Sequence, residues 1–214
     1  MLYTAIIFDL DGVICHTDKY HYMAWKQLAD KLGIYFDEQI NNRLRGVSRM
    51  DSLEIILERY HGEPLTHIEK ISLAESKNEI YKEYLIEMSP KDLSGEVLDA
   101  LNLLKDRGLK LAIGSSSKNA RLILKQIGLE DYFHAISDGN NITHSKPNPE
   151  VFLKAAEYIK ENPSNCLVVE DAKAGIEAAN FAGMDSAGIG EAADYPLTTY
   201  PLSKFSDLIE IIGS

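Results

Sequence analysis

Apolar positions along the chain follow two rhythms. Short unbroken apolar runs rich in β-favouring residues stand at Thr4 to Phe8, Leu109 to Ile113, Cys166 to Val169 and Met184 to Ile189, and a weaker one at Ala135 to Ser137. Each reads as a strand. Between them, apolar residues recur at helical spacing over Glu96 to Lys105 (Val97, Leu98, Leu101 and Leu104 on one face), Ala120 to Ile127, Pro149 to Ile159 and Ala172 to Ala182. Gly108, Gly128 and Gly183 stand where helices of that kind stop. Strands alternating with helices across short turns predict an α/β, doubly wound parallel sheet with right-handed crossovers.

The stretch from Cys15 to Met88 breaks this alternation, having helical periodicity and no convincing strand. Its expected helices are Lys19 to Leu32, Glu38 to Leu44, Met50 to Tyr60 and Ile68 to Met88. Ser48 with Asp51, and Thr66 with Glu69, are cap-like pairs ahead of the third and fourth. Ser89-Pro90 makes a hinge back to the sheet. The chain is therefore divided into a Rossmann-like core, residues 1–14 and 89–214, and an inserted helical domain, residues 15–88.

Composition narrows the chemistry. A chain of 214 residues, 45% hydrophobic and 26% charged, can bury a proper core and is neither disordered nor fibrous in character. Its 33 acidic against 22 basic residues give a net charge of -11, which repels a nucleic-acid backbone. The same charge repels a small phosphorylated substrate, so any phosphate site must be built locally from lysine, arginine, backbone N–H groups or a metal ion. The N-terminus has neither the basic start nor the apolar length of a signal peptide, and no apolar run reaches the ~20 residues of a membrane span. Cys15 and Cys166 are too few for a disulfide framework and read as structural, and the histidines show no close pair suited to zinc. A cytoplasmic location, no membrane and no nucleic-acid partner are expected.

In an open parallel sheet, ligands bind beyond the carboxyl ends of the strands. The residues there are strongly polar: Asp9 and Asp11 after the first strand, Ser115, Ser116, Ser117 and Lys118 after the second, and Glu170-Asp171 after the run from Cys166. Lys146 lies in the loop ahead of the helix at Pro149. Carboxylate oxygens suit Mg²⁺, which also binds substrate phosphate. Serine hydroxyls, turn N–H groups and a lysine could hold the equatorial oxygens of a phosphoryl group in transfer. One aspartate remains to attack, and another two positions on, projecting to the same side, can handle protons.

Asp9-Leu10-Asp11-Gly12-Val13, Ser115, Lys146 and Glu170-Asp171 resemble the four ordered motifs of the haloacid dehalogenase superfamily, over essentially the whole chain. The insertion is similar to the four-helix cap of its first subclass. Thr17 to Trp25, Gly46-Val47-Ser48-Arg49, Asp51-Ser52 and Ser117-Lys118-Asn119 resemble the β-phosphoglucomutase family within it. The resemblance implies Asp9 as nucleophile and Asp11 as general acid and base. It implies Mg²⁺ held by Asp9, the Asp11 carbonyl, Glu170 and Asp171, with Ser115 and Lys146 on the transferring phosphoryl group. Arg49, helped by Ser117 and Asn119, maps to the second phosphate position. Thr17, His21, Trp25, Gly46, Val47, Ser48, Ser52, Lys77 and Lys118 map to sugar contact, cap closure or support. The implied reaction interconverts β-glucose 1-phosphate and glucose 6-phosphate, with β-glucose 1,6-bisphosphate as intermediate and activator. The expected partner is a small-molecule sugar phosphate and the expected state a monomer.

Two positions depart from the family pattern: His16 stands where an aspartate is common, and Ala172 where a serine is common. Plainer readings stand beside the chemical ones. Trp25 and His21 could simply pack a helix, Lys77 could lie on a solvated face, and the serine run could be an ordinary turn. The same phosphoaspartate could serve a phosphatase with water as acceptor, and the same fold a non-catalytic sugar-phosphate sensor. A dinucleotide site is not expected, because no Gly-x-Gly-x-x-Gly follows the first strand.

Overall fold

A computed structural model describes residues 3–44 and 48–213. The chain divides into two compact units, Met1–His16 with Ser89–Ser214, and Thr17–Met88.

The first unit is built on a parallel sheet of β1 (Ala5–Phe8), β2 (Lys110–Gly114), β3 (Ala135–Ser137), β4 (Cys166–Glu170), β5 (Asp185–Gly188) and β6 (Tyr200–Pro201). Its spatial order is β3-β2-β1-β4-β5-β6. Connections run outward to one side from β1 and to the other from β4, so a crevice is expected at the carboxyl ends of these two strands. β1 and β4 are buried along their whole length. That two-sided burial is why each appears in the sequence as a continuous apolar run rather than an alternating one. On one face Ile7, Ala112 and Val168 pack with Val151, Phe152 and Ala155 and with Ala178 and Ala179. These come from α7 (Glu150–Ile159) and α8 (Lys173–Phe181). Phe8 turns away from that cluster and stacks on Phe205 at 5.7 Å. The remaining helices of this unit are α5 (Gly95–Asp106), α6 (Ala120–Gln126) and α9 (Leu208–Gly213). The expected strands and helices are found with their ends shifted by at most one residue; β6 and α9 were not expected. Gly108, Gly128 and Gly183 do follow helices and have positive φ.

The second unit contains α1 (Asp18–Lys31), α2 (Glu38–Asn42), α3 (Arg49–Leu57) and α4 (His67–Leu85). Trp25, Leu28, Phe36, Ile40, Leu53, Ile56 and Ala74 form its core. Ser48 caps α3 by accepting the Asp51 N–H, and Thr66 with Glu69 forms a reciprocal capping box on α4. Helices α2, α3 and α4 end before the predicted Leu44, Tyr60 and Met88. The residues that follow α3 and α4 make tight backbone turns, Tyr60 N–H to the Leu57 carbonyl and Met88 N–H to the Leu85 carbonyl, that keep an apolar rhythm without continuing the helix.

Candidate active site

The first strand delivers Asp9 to the crevice. The Asp9 N–H still donates to the Val169 carbonyl at 2.9 Å, so the residue is held by the sheet rather than by a loose loop. The chain then turns back at once, with the Gly12 N–H on the Cys15 carbonyl at 2.7 Å and the Ile14 N–H on the Leu10 carbonyl at 3.0 Å. Gly12 has φ +84°, and a Cβ there would lie 2.1 Å from Asp171 Oδ2. Both the backbone conformation and the closeness of Asp171 require glycine. Asp11, in this turn, is half-buried and bridges to Cys15.

β4 ends on Glu170, with Asp171 next. Lys146 Nζ donates to Asp9 Oδ1 at 2.5 Å and to Glu170 Oε1 at 2.6 Å. Glu170 Oε2 accepts the Ala172 N–H at 2.9 Å. A Cβ on Gly175 would fall 1.9 Å from the Glu170 carboxyl, so the first turns of α8 leave a seat for that side chain. The Lys146 ammonium also lies 4.7 Å from the centre of the Phe152 ring, and the Lys146–Pro147 bond is cis. Carboxylate oxygens of Asp9, Glu170 and Asp171 all lie within 4.8 Å of one another.

Charge in this cluster is unbalanced. Burial alone would lower the Lys146 ammonium, but Asp9 and Glu170 overcome it and keep Lys146 protonated. Burial lifts the Glu170 carboxyl against the pull of Lys146. Asp171 is pushed up to about 8, first by burial and then by the nearby Asp9 and Glu170 carboxylates. One lysine thus does not offset the acids gathered here. Burial also raises the Cys15 thiol and takes that of Cys166 to about 11, in keeping with structural roles for both.

The register pairs Phe8 with Ile113, so Gly114 and Ser115 leave β2 beside Asp9 at the same sheet edge. Ser115 is buried, its N–H bonded to the Ser137 carbonyl at 3.0 Å and its Oγ accepting the Ser117 N–H at 3.2 Å. Ser117 Oγ accepts the Asn119 N–H at 3.2 Å. The turn is braced from behind by the end of β3: the Gly139 N–H donates to the Ser117 carbonyl and Asn140 Nδ2 to the Lys118 carbonyl. Asn119 is buried and the Lys118 side chain exposed. The serine run is therefore an ordinary turn in its hydrogen bonding that is placed beside Asp9.

In the helical unit, Arg49 is the first residue of α3 and donates to Asn78 Oδ1 at 2.9 Å. His21 Nδ1 lies 2.9 Å from Lys77 Nζ, and its ring stacks on Tyr81 at 4.0 Å. Burial, then the Lys77 and Arg49 charges, lower His21 well below its ordinary value, so it is neutral and its Nδ1 accepts from Lys77. The solvated-face reading of Lys77 is corrected: the residue is 2% exposed, its ammonium 4.6 Å from the Trp25 ring centre and 4.5 Å from that of Tyr81. Trp25 belongs to the core of this unit. Ser52 and Thr17 are buried, and Ser48 is engaged in its cap. Gly46 and Val47 lie outside the described residues.

The haloacid dehalogenase-like hydrolase model matches residues 3–183, which include Asp9, Asp11, Ser115, Lys146, Glu170 and Asp171. The chain belongs to the haloacid dehalogenase-like hydrolase family. A β-phosphoglucomutase of Bacillus subtilis is 42% identical over 188 residues, covering 87% of this chain and 83% of that protein. A fructose-1-phosphate phosphatase of Escherichia coli is 31% identical over 191 residues, covering 87% and 96%. Among solved structures, a β-phosphoglucomutase from Clostridium difficile superposes with a TM-score of 0.90 at 39% identity, covering 99% of this chain and 96% of that one. The donor set of this haloacid dehalogenase-like chain fits Mg²⁺: the cluster is all oxygen and compact, and Asp171 is raised first by burial and then by the Asp9 and Glu170 carboxylates, a repulsion that a cation relieves. No described helix is long and apolar enough to cross a membrane.

The roles of Gly12 and Gly175 as seats for Asp171 and Glu170, at and just after the end of β4, were not read from the sequence. A glycine one residue after Asp11, or five after Glu170, is the only sign in the sequence, and only the third dimension says which acid it accommodates.

Proposed function

We propose that this chain is a β-phosphoglucomutase, working through a phosphoryl group carried on Asp9. The observation that carries the reading is the buried Asp9–Lys146–Glu170 arrangement with Asp171 beside it, in a chain 42% identical to a β-phosphoglucomutase. Asp9, Glu170, Asp171 and the Asp11 main-chain carbonyl would hold a Mg²⁺ ion, which when bound supplies positive charge to the transferring oxygens. A carboxylate oxygen of Asp9 forms the new bond to phosphorus while the bond from phosphorus to the donor oxygen breaks, and Asp11 gives that oxygen its proton. Lys146, Ser115 and the turn that follows it hold the phosphoryl oxygens.

In the mutase cycle, phospho-Asp9 gives its phosphoryl group to the 6-hydroxyl of β-glucose 1-phosphate, with Asp11 taking the hydroxyl proton. The bisphosphate then returns its 1-phosphate to Asp9 and leaves as glucose 6-phosphate. Holding the non-reacting phosphate is the role assigned to Arg49 with Ser117 and Asn119, and keeping water away from phospho-Asp9 is the role assigned to the helical unit. The alternative acceptor is water. The 31% identity to a fructose-1-phosphate phosphatase is the observation that favours it.

The two readings separate in one incubation with Mg²⁺, β-glucose 1-phosphate and trace β-glucose 1,6-bisphosphate, following glucose 6-phosphate and free phosphate together. The mutase yields glucose 6-phosphate well ahead of phosphate, and the product disappears in Asp9→Asn. Free phosphate without glucose 6-phosphate makes the chain a phosphatase. Product unaffected by Asp9→Asn removes the phosphoaspartate altogether.

A further inference from the structure

A lysine ammonium on a flexible four-carbon stem has no fixed position of its own. Where Lys146 Nζ meets Asp9 and Glu170 must be set by the backbone that carries it. That backbone belongs to the segment between β3 and α7, residues 138–149, which has neither helix nor strand to hold it. Around Thr143 and His144 one carboxylate holds it. Glu150, the first residue of α7, accepts the Thr143 N–H and the His144 N–H on the same oxygen, Oε2, each at 2.9 Å. Its other oxygen, Oε1, pairs with Lys154 Nζ at 2.9 Å, one turn along the helix. Lys154 also donates to the Asn141 carbonyl, and Asn141 Oδ1 accepts the Asp138 N–H at 2.7 Å. Past Lys146, the Asn148 N–H donates to the Ser145 carbonyl at 3.1 Å and Asn148 Oδ1 accepts the Glu150 N–H at 3.0 Å. The segment is thus tied to the start of α7 on both sides of Lys146.

We infer that Glu150 is a positioning residue of the phosphoryl-transfer site, fixing Lys146 against Asp9 and Glu170 by anchoring the backbone at Thr143 and His144. The working atom is Oε2; the ion pair through Oε1 is support. Glu150 touches none of the reacting groups, so it acts only through the loop. Lys154 and the two N–H groups hold its carboxyl at about 2, so the anchor is charged throughout the neutral range. The consequence for turnover rests on the reading of Lys146 given above; the anchor itself is a statement about the loop, and the two fail separately.

Three variants test it: Glu150→Ala, Glu150→Gln and Lys146→Ala, with the first and last also combined. Gln keeps a carbonyl oxygen for both N–H groups and loses only the ion pair. The first readout is acylation of individual lysines by acetic anhydride in the metal-free protein, read by mass spectrometry with exposed Lys91 as reference. Lys146 is expected to react severalfold faster in Glu150→Ala and at the wild-type rate in Glu150→Gln. The second readout is turnover in the incubation described above. Glu150→Ala is expected to lose roughly tenfold to a hundredfold, as for a displaced catalytic group. Adding it to Lys146→Ala should cost nothing more, because both remove the same contact. Unchanged Lys146 acylation in Glu150→Ala, or losses that multiply in the double variant, would overturn the proposal. If Glu150→Ala does not fold, amide exchange in the wild type decides: Thr143 and His144 are to be protected as a pair, and exchange of both at unprotected rates refutes the anchor. A wild type inactive on sugar phosphates removes the function proposed above and leaves the acylation result to judge Glu150.

Discussion

Replacing Lys146 by Met keeps most of the stem and deletes the ammonium, with its ion pairs and its contact with the Phe152 ring. The side chains that meet there are nearly dry: Lys146 is 8% exposed, Asp9 10% and Glu170 2%. Breaking a buried ion pair by removing one partner costs about 3–5 kcal/mol, because the other charge stays buried and uncompensated. Two carboxylates are stranded here, but their costs do not add, since Glu170, already lifted by burial, can take a proton instead. Lys146 is held protonated in the fold, so its contribution is present below its ordinary value of ~10.4 and is lost only as pH rises through the still higher folded value. At neutral pH the whole effect should be seen. For a chain of this size, about 3–5 kcal/mol corresponds to a fall in Tm of roughly 6–20 °C. Urea unfolding followed by circular dichroism in EDTA measures it, and repeating it in saturating Mg²⁺ should narrow the gap, since a bound cation supplies part of the missing charge. A metal-free Lys146→Met protein within about 0.5 kcal/mol of the wild type, the scatter of ordinary surface changes, would refute the electrostatic account. So would a gap unaltered by Mg²⁺.

Asp171 predicts a pH trend of the same sign in a lower window for the metal-free wild type. Its carboxyl sits at about 8 in the fold, above its unfolded value of ~3.9, so the folded state binds the extra proton and stability falls as pH rises between those values. The slope from this group is at most about 1.4 kcal/mol per pH unit. Saturating Mg²⁺ or Asp171→Asn should flatten it, and a metal-free stability that climbs from pH 6 to 8 would contradict it. Gly175→Ala should displace Glu170 and weaken Mg²⁺ binding, measured by calorimetry, while a full-affinity variant would show that α8 can yield. Thr66→Ala removes the capping box of α4 and should cost about 1 kcal/mol in urea unfolding.

Much of this fold is legible because its central strands are buried on both faces and leave continuous apolar runs; β1 and β4 were plain for that reason. β6, two residues with a proline at the sheet edge, carries no such signal. The strand-end acids were legible because parallel topology sends every carboxyl end to one edge, whatever lies between in sequence. Lys77 was not. Its spacing from Tyr81 marks a shared helix face, but only the packing of α1 against α4 shows that Trp25 and His21 meet it there, and a buried lysine runs against every compositional expectation. Glu150 was missed for a related reason: an acid in the first turn of a helix is ordinary, and nothing in the sequence says which N–H groups fold back onto it.

The central place of β1 sets an order on synthesis. Ala5 pairs with Lys110 on one side and Cys166 on the other, so β1, made before either neighbour, cannot be flanked on both sides until Cys166 has followed. At ~5–20 residues per second, the interval between Asp9 and Glu170 is roughly ten to thirty seconds. The helical unit, with its own core, lies within that interval and can collapse while β1 waits exposed. A chain stopped at residue 160 should therefore protect amides in α1 and α4 and leave those of β1 open to exchange. Asp9 is made well before Lys146 and Glu170 and finds its partners only once both have followed.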